Sequence, residues 1–250
     1  KTSNGSVNFY KEVVYAQSEY IFWGKHHTSL DADVGAAAGT LGNAFSHATN
    51  LPMYSSLAGG TDDNAPTDGE LQTGFAKFAN DEAVDVSLIP TGAVSATVSK
   101  YVVENVAEVR KDCMVFISPE LADAQSSTPA TDIKDFRTTQ NINSSFAVMD
   151  SGYKYQFDRF NDVFRYVPLN GDVAGCLVRT DLVADPFFSP AGFNRGQIKN
   201  AVKLAYSPDK ADRDTLYKNA INPVVSFPGQ GTVLFGDKTM LSAPSAFDRI

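Results

Sequence analysis

Between Val84 and Ile117 the chain alternates between two hydrophobic periods, and this limits its fold more than any other stretch. Val84 to Ile89 reads as an apolar strand, followed by a Pro90-Thr91-Gly92 turn. Ser95 to Lys111 reads as a helix with Val98, Val102, Val106 and Val109 on one stripe, and Cys113 to Ile117 as a second apolar strand. Two strands joined by a helix-length crossover pair in parallel, with a right-handed connection. Strands without polar alternation need both faces covered. The fold class that follows is α/β (α+β), with a mixed, partly parallel β-sheet flanked by helices.

The flanking segments extend this plan. Residues 1–68 form a β-prone and irregular segment: Val7 to Tyr15 and Tyr20 to Trp23 are strand-like, and residues 25–68 are rich in small and polar side chains. Residues 69–250 form the αβ core. Glu70 to Asn80 and Thr131 to Thr139 read as helices, and Phe146 to Met149 as a short buried strand. Aromatic-rich Tyr153 to Val167 reads as strand–loop–strand, turning at Pro168 to Gly171, with Asp172 capping a helix over Val173 to Thr180. In Ser189 to Gly196 (SPAGFNRG), Pro190 and Gly192 form a turn ahead of a helix carrying Ile198, Ala201, Val202 and Ala205 at i, i+3, i+4 and i+7. Ser207-Pro208 starts a second helix, supported by the Asp209–Arg213 and Asp214–Lys218 pairs and ended by Asn222-Pro223. Val224 to Phe227 and Thr232 to Phe235, joined by Pro-Gly-Gln-Gly, read as a C-terminal β-hairpin.

Charge and composition narrow the function. With 43% hydrophobic and 20% charged residues the chain has globular composition, and it has no apolar run of membrane-spanning length. A net charge of −8 and a pI near 4.8, with scattered Lys and Arg, argue against direct nucleic-acid binding. Cys113 and Cys176 both sit in apolar runs and read as small buried hydrophobes, in keeping with a reducing cytosol.

Candidate chemistry fails on spacing. His26 and His27 are adjacent, so on a strand they point to opposite faces, and nothing completes a metal set with them or His47. The acidic run Asp62, Asp63, Asn64, Asp68 and Glu70 lacks the Gly and Glu of a calcium loop and reads as solvated acids near a helix start. Gly229-Gln230-Gly231-Thr232 leads into a β-rich run without the lysine and helix of a phosphate loop. Ser207-Pro208-Asp209-Lys210 matches S-x-x-K by letter but lacks the companion motifs. Asp158, Arg159, Asp162 and Arg165 sit among aromatics and read as an ion-paired surface. No catalytic, cofactor-binding or metal-binding residue is assigned, and no cofactor is expected.

The order and spacing of several stretches nevertheless resemble one family. SPAGFNRG, Ile221-Asn222-Pro223 and Phe227 to Thr239 (FPGQGTVLFGDKT) resemble the contractile tail sheath proteins of T-even-like myophages. Ser18 to Phe22, Val84 to Val86, Val109 to Cys113, Tyr153 to Asp158, Phe164 to Gly175 and Pro244 to Ile250 resemble the same family. The resemblance covers most of residues 18–250 and is weakest over 25–68. It implies the core region of a longer subunit, without that subunit's N-terminal part and C-terminal domain. It further implies hexameric rings stacked around a tail tube, contraction that drives the tube through the host envelope, and no enzymatic activity. The partners implied are neighbouring sheath subunits and the tube, baseplate and tail terminator proteins, without direct nucleic acid or membrane insertion. The location implied is the virion tail, after assembly in the host cytoplasm. Two other classes stay open on the residues themselves. One is an α/β hydrolase-like or nucleotide-binding enzyme with its site near Pro90-Thr91-Gly92 and Pro119-Glu120. The other is a carbohydrate-binding surface module using the aromatics of 153–166.

Overall fold

The structure is a computed structural model that describes residues 10–20, 65–185, 187–242, 245 and 247–250. The three histidines, Asp62 to Asn64 and the irregular stretch up to residue 64 lie outside the described residues. The chain divides into two compact units, residues 1–62 and 63–250. In the first, helix α1 (Tyr10–Gln17) occupies much of the expected β-prone Val7 to Tyr15 stretch. Within the helix only Val13 and Val14 are β-branched, and the Lys, Glu, Ala and Gln around them favour helix.

The second unit is built on a parallel sheet of β1 (Leu88–Pro90), β2 (Met114–Ile117) and β3 (Ala147–Met149), in that order. Val115 and Ile117 belong to one buried cluster and Phe116 to the other, and Ala147 and Met149 are split from Val148 in the same way. This is the alternation of a sheet covered on both faces, and it explains the unbroken apolar runs. β1 is shorter than the expected Val84 to Ile89 strand, because the Val84 carbonyl accepts from Arg110 rather than from a neighbouring strand. Helix α2 (Asp68–Phe75), followed by a 3₁₀ turn over Ala76–Phe78, is capped by Thr67, with Thr67 and Glu70 forming a reciprocal capping box.

The crossover helix α3 begins at its Ser95 cap and has three parts: an α-helical Ala96–Val102, a π-helical Val103–Ala107 and a last α turn Glu108–Arg110. A π turn takes about one more residue than an α turn, so it shifts the helical phase beyond it. Val98, Val102 and Val106 are therefore fully buried, while Val109, expected on the same stripe, is 63% exposed and Arg110 takes the inward position.

After β2 come α4 (Leu121–Ala124) and α5 (Pro129–Gln140), then β3. β4 (Tyr153–Asp158) and β5 (Val163–Pro168) form the expected antiparallel pair. Helix α6 (Asn170–Val183) covers the Phe116 face of the sheet. Asp172 lies inside its first turn and does not cap it; its carboxylate takes the Lys154 ammonium instead.

The helix expected over 198–205 is absent. That segment contributes β6 (Gln197–Ile198) to one sheet and β7 (Lys203–Leu204) to another. Its i, i+3, i+4 spacing was a coincidence overridden by strand pairing on either side of Asn200, which has φ 57°. In helix α7 (Lys210–Lys218) the cap is Asp209, whose carboxylate accepts from the Asp212 amide; Ser207 instead accepts from the Ser226 amide. Arg213 lies over the Phe227 and Phe235 rings rather than reaching Asp209.

β8 (Val224–Phe227) and β9 (Gly231–Leu234) form the C-terminal hairpin. Gly229 and Gly231 hold φ of 76° and 79°, a region that excludes most side chains. β6 joins the far edge of β9, and the SPAGFNRG turn docks there too, with the Gly192 amide donating to the Leu234 carbonyl at 2.9 Å. The expected α/β (α+β) class, with a parallel sheet and a C-terminal hairpin, is the one observed. The two buried cysteines are free and pack in separate clusters.

Candidate functional site

The C-terminal edge of the parallel sheet is where a doubly wound α/β enzyme opens its cleft. Here that edge is closed by its own polar groups. Ser118, just past β2, donates to Asp150 Oδ2 at 2.7 Å, and the Gly152 amide donates to Asp150 Oδ1 at 2.8 Å. The first turn of α6 drops onto the same point: the Asn170 amide donates to Ser118 Oγ, and its side chain donates to the Gly92 carbonyl. Thr91 is spent on the Phe116 carbonyl. Of the residues framing the expected cleft, Thr91 is thus consumed in this buried clasp beside Ser118, while Glu120 is exposed.

Asp150 is the unusual member of this clasp. Burial raises its pKa to about 8, against the pull of the Ser118 and Gly152 hydrogen bonds, with Asp172 adding repulsion. The native state therefore holds a proton here that the unfolded chain releases near pH 4. This contribution to stability is full below pH 4 and is lost as pH rises through about 8. D150N cannot ionise and keeps an acceptor for the Gly152 amide. The difference in melting temperature between D150N and the wild type should therefore grow in favour of D150N between pH 5 and 9. A constant difference over that range would show that Asp150 is ionised in the fold.

Two surfaces are apolar and uncovered. On the β4–β5 hairpin, Tyr155 stacks with Phe164 and leans on Tyr166, and Phe157 packs against Phe164. Lys203 lies over Tyr155, and Arg159 covers one face of Phe160, whose side chain is otherwise in solvent. Asp158 and Arg165 pair at 3.0 Å, as the sequence suggested, and hydrogen bonds from Asn161 and the Phe160 amide hold the Asp158 carboxyl below its usual range. Asp162 takes the left-handed turn position. The second surface is at the end of α6, where Leu182 and Val183 are exposed beside the stacked Phe187–Phe188 pair. The sequence reading singled out the first surface but missed the second, because nothing in the sequence of 182–188 shows which of its apolar side chains go uncovered. Exposed aromatic and aliphatic clusters rimmed by charge are the composition of protein–protein interface cores.

Among the described residues no group of three or more His, Cys, Asp or Glu side chains is placed to hold a metal ion. Among the same residues no helix is long and apolar enough to cross a membrane. Ser207, Asp68 and Glu70 are engaged in structural bonds to the Ser226 amide, Ser95 and Thr67.

Comparison with known proteins points one way. Residues 64–240 match the family model described as the phage tail sheath protein central domain. The chain is 43% identical over 229 residues to the tail sheath protein of Enterobacteria phage T4, covering 82% of this chain and 35% of that protein. It is 42% identical over 216 residues to the tail sheath protein of Vibrio phage KVP40, covering 78% and 32%. It thus spans about a third of the length of these relatives. Among solved structures, the contracted helical sheath of the anti-feeding prophage superposes with TM-score 0.53 at 15% identity, covering 77% of this chain and 48% of that one. The contracted sheath complex of an extracellular contractile injection system, PVC, gives 0.52 at 13% identity, covering 75% and 53%.

Proposed function

This chain belongs to the phage tail sheath protein family, and on that premise we propose that it is the central body of a contractile sheath subunit. The observation that carries the proposal is the family match over residues 64–240, supported by a fold shared with two contracted sheaths. Subunits polymerise around the tail tube, meet the baseplate and a tail terminator protein at the ends, and contract to drive the tube through the host envelope. Assembly takes place in the host cytoplasm and the product resides in the virion tail. The role is mechanical rather than enzymatic, and the clasp around Asp150 fits it by bracing the sheet edge where an enzyme would open a cleft. The energy of contraction is stored in a metastable lattice, and the packed core moves as a near-rigid body, because close-packed interiors transmit strain rather than absorb it.

Electron microscopy of the full-length subunit tests this reading. Rings or tubes are the expected result, with the backbone of 65–240 differing by about 1 Å or less between extended and contracted forms. Monodisperse particles under all assembly conditions would overturn the sheath role. Tubes whose parallel sheet is rebuilt on contraction would overturn the rigid-body part.

A further inference from the structure

Arg137 lies in the last turn of α5 and is 9% exposed. Its Nη2 donates to the Ile142 carbonyl at 2.7 Å and to the Met240 carbonyl at 3.0 Å. Among the described residues no carboxylate reaches it: Nε is sealed without a hydrogen-bond partner, and Nη1 has none. Two neutral carbonyls do not balance a full positive charge, and removing that charge from water lowers the Arg137 pKa.

Beside it is a cavity of about 220 Å³, bounded by the ends of α5 and α7 and by Lys238, Leu241, Ser242 and Asp248. Lys218, Lys238, Ser242 and Asp248 help line it. Among the described residues Lys218 makes no ion pair, and the Lys238 ammonium is bound to the Tyr217 carbonyl and lies 4.3 Å from the centre of the Tyr217 ring. The one carboxylate, Asp248, is already drawn toward Arg249 at 3.8 Å. Among the described lining residues three cations therefore face the cavity, and their one acid is partly spent. Helix C-termini ordinarily repel anions, but here the Tyr217 and Leu216 carbonyls accept from the Lys238 ammonium and from the Asn219 and Ala220 amides. The cavity has room for a small anion and its water, each water taking about 30 Å³.

We propose that this pocket is an oxyanion site, in which a carboxylate or phosphate group meets the free Nη1 edge of Arg137 while Lys218 closes over it. The occupant is either free phosphate or an acidic side chain of another protein copy; both present paired oxygens to a guanidinium. The site does not depend on the sheath reading.

Inorganic phosphate is the probe, titrated against the purified protein with sodium chloride at matched ionic strength as the reference. Phosphate at ten times its Kd should raise the melting temperature by roughly 3 °C or more. K218Q removes an exposed, unpaired ammonium, so it should fold normally and weaken phosphate binding by roughly threefold to tenfold. R137M should abolish the response if it folds. General salting-out by phosphate would stabilise K218Q and the wild type alike. Equal responses from the two, or a phosphate effect no larger than that of chloride, would overturn the proposal. Acetate separates the sources. An equal gain with acetate, together with phosphate inhibition of self-association, identifies a carboxylate from another copy. A response to phosphate alone identifies the free ion. Either result supports the site.

Discussion

Replacing Asn222 with Ala should lower the melting temperature by roughly 6–12 °C, the equivalent of about 3 kcal/mol in a domain of this size. Asn222 is fully buried at the point where three strands of chain meet. Its amide and its Nδ2 both donate to the Met149 carbonyl at the end of β3, at 2.8 and 3.1 Å. The same Nδ2 donates to the Lys238 carbonyl at 2.8 Å, and Oδ1 accepts the Lys238 amide at 2.7 Å. This one side chain therefore ties the segment after β9 to the parallel sheet, alongside the Met240 amide, which donates to the Ala147 carbonyl at 2.8 Å. Removing the side chain orphans both Lys238 backbone groups. The fit leaves no slack, since a Cβ added at Gly236 would come within 2.8 Å of Asn222 Oδ1. N222D separates hydrogen bonding from packing. It keeps the volume but loses the donor, so it should be at least as damaging as N222A at neutral pH and should recover partly in acid, where the carboxyl regains a proton to donate. Melting within 2 °C of the wild type for N222A would show that the bracket contributes little.

That bracket also shows where the sequence was readable and where it was not. Asn222-Pro223 was expected to end α7 through the proline, but the helix stops at Lys218, with Asn219 as its C-cap and Ala220 in the left-handed region at φ 58°. The larger role of Asn222 depends on Met149, 73 positions away, which no local pattern encodes. The parallel strands were legible as unbroken apolar runs set between turn and helix signals, and the β4–β5 pair and the β8–β9 hairpin by their turn chemistry. β6 and β7 were not: two-residue strands carry no period, and the helical spacing of Ile198, Ala201 and Val202 filled the gap. The cap of α7 was misread by two residues because Ser207-Pro208 offered the same chemistry as Asp209. At the candidate site the aromatics of 153–166 were visible in composition. Their exposure, and the clasp joining Ser118 to Asp150 across 32 positions, depend on tertiary packing.

The crossover helix gives the sharpest reversal of a sequence reading, and its test has the second large effect. An unbroken α-helix from Ser95 would bury Val109 and expose Arg110, so V109E would be costly and R110M nearly neutral. The π-helical stretch Val103–Ala107 inverts this order. The Arg110 side chain is 1% exposed. Its Nη1 donates to the Phe78 and Val84 carbonyls at 2.9 and 2.7 Å, and its Nε and Nη2 grip Asp112 at 2.8 and 2.9 Å. That grip raises the Arg110 pKa and lowers that of Asp112. Asp112 is half exposed, so water takes over most of its share when the arginine is lost. The two carbonyls carry most of the cost when left without their shared donor, although water can reach part of the exposed Phe78. R110M should thus lower the melting temperature clearly more than V109E, which, on an exposed position, should stay within about 0.5 kcal/mol of the wild type. R110K should recover little, because a single ammonium cannot bridge the carbonyls and hold both Asp112 oxygens. Arg110 also ties the end of α2 and the approach to β1 to the crossover helix, so its loss should loosen the edge of the sheet before the core. Hydrogen exchange of R110M should show this as faster exchange at 78–90 with little change in β2 and β3. The opposite ranking of V109E and R110M in thermal melts would mean that the helix runs without its π turn.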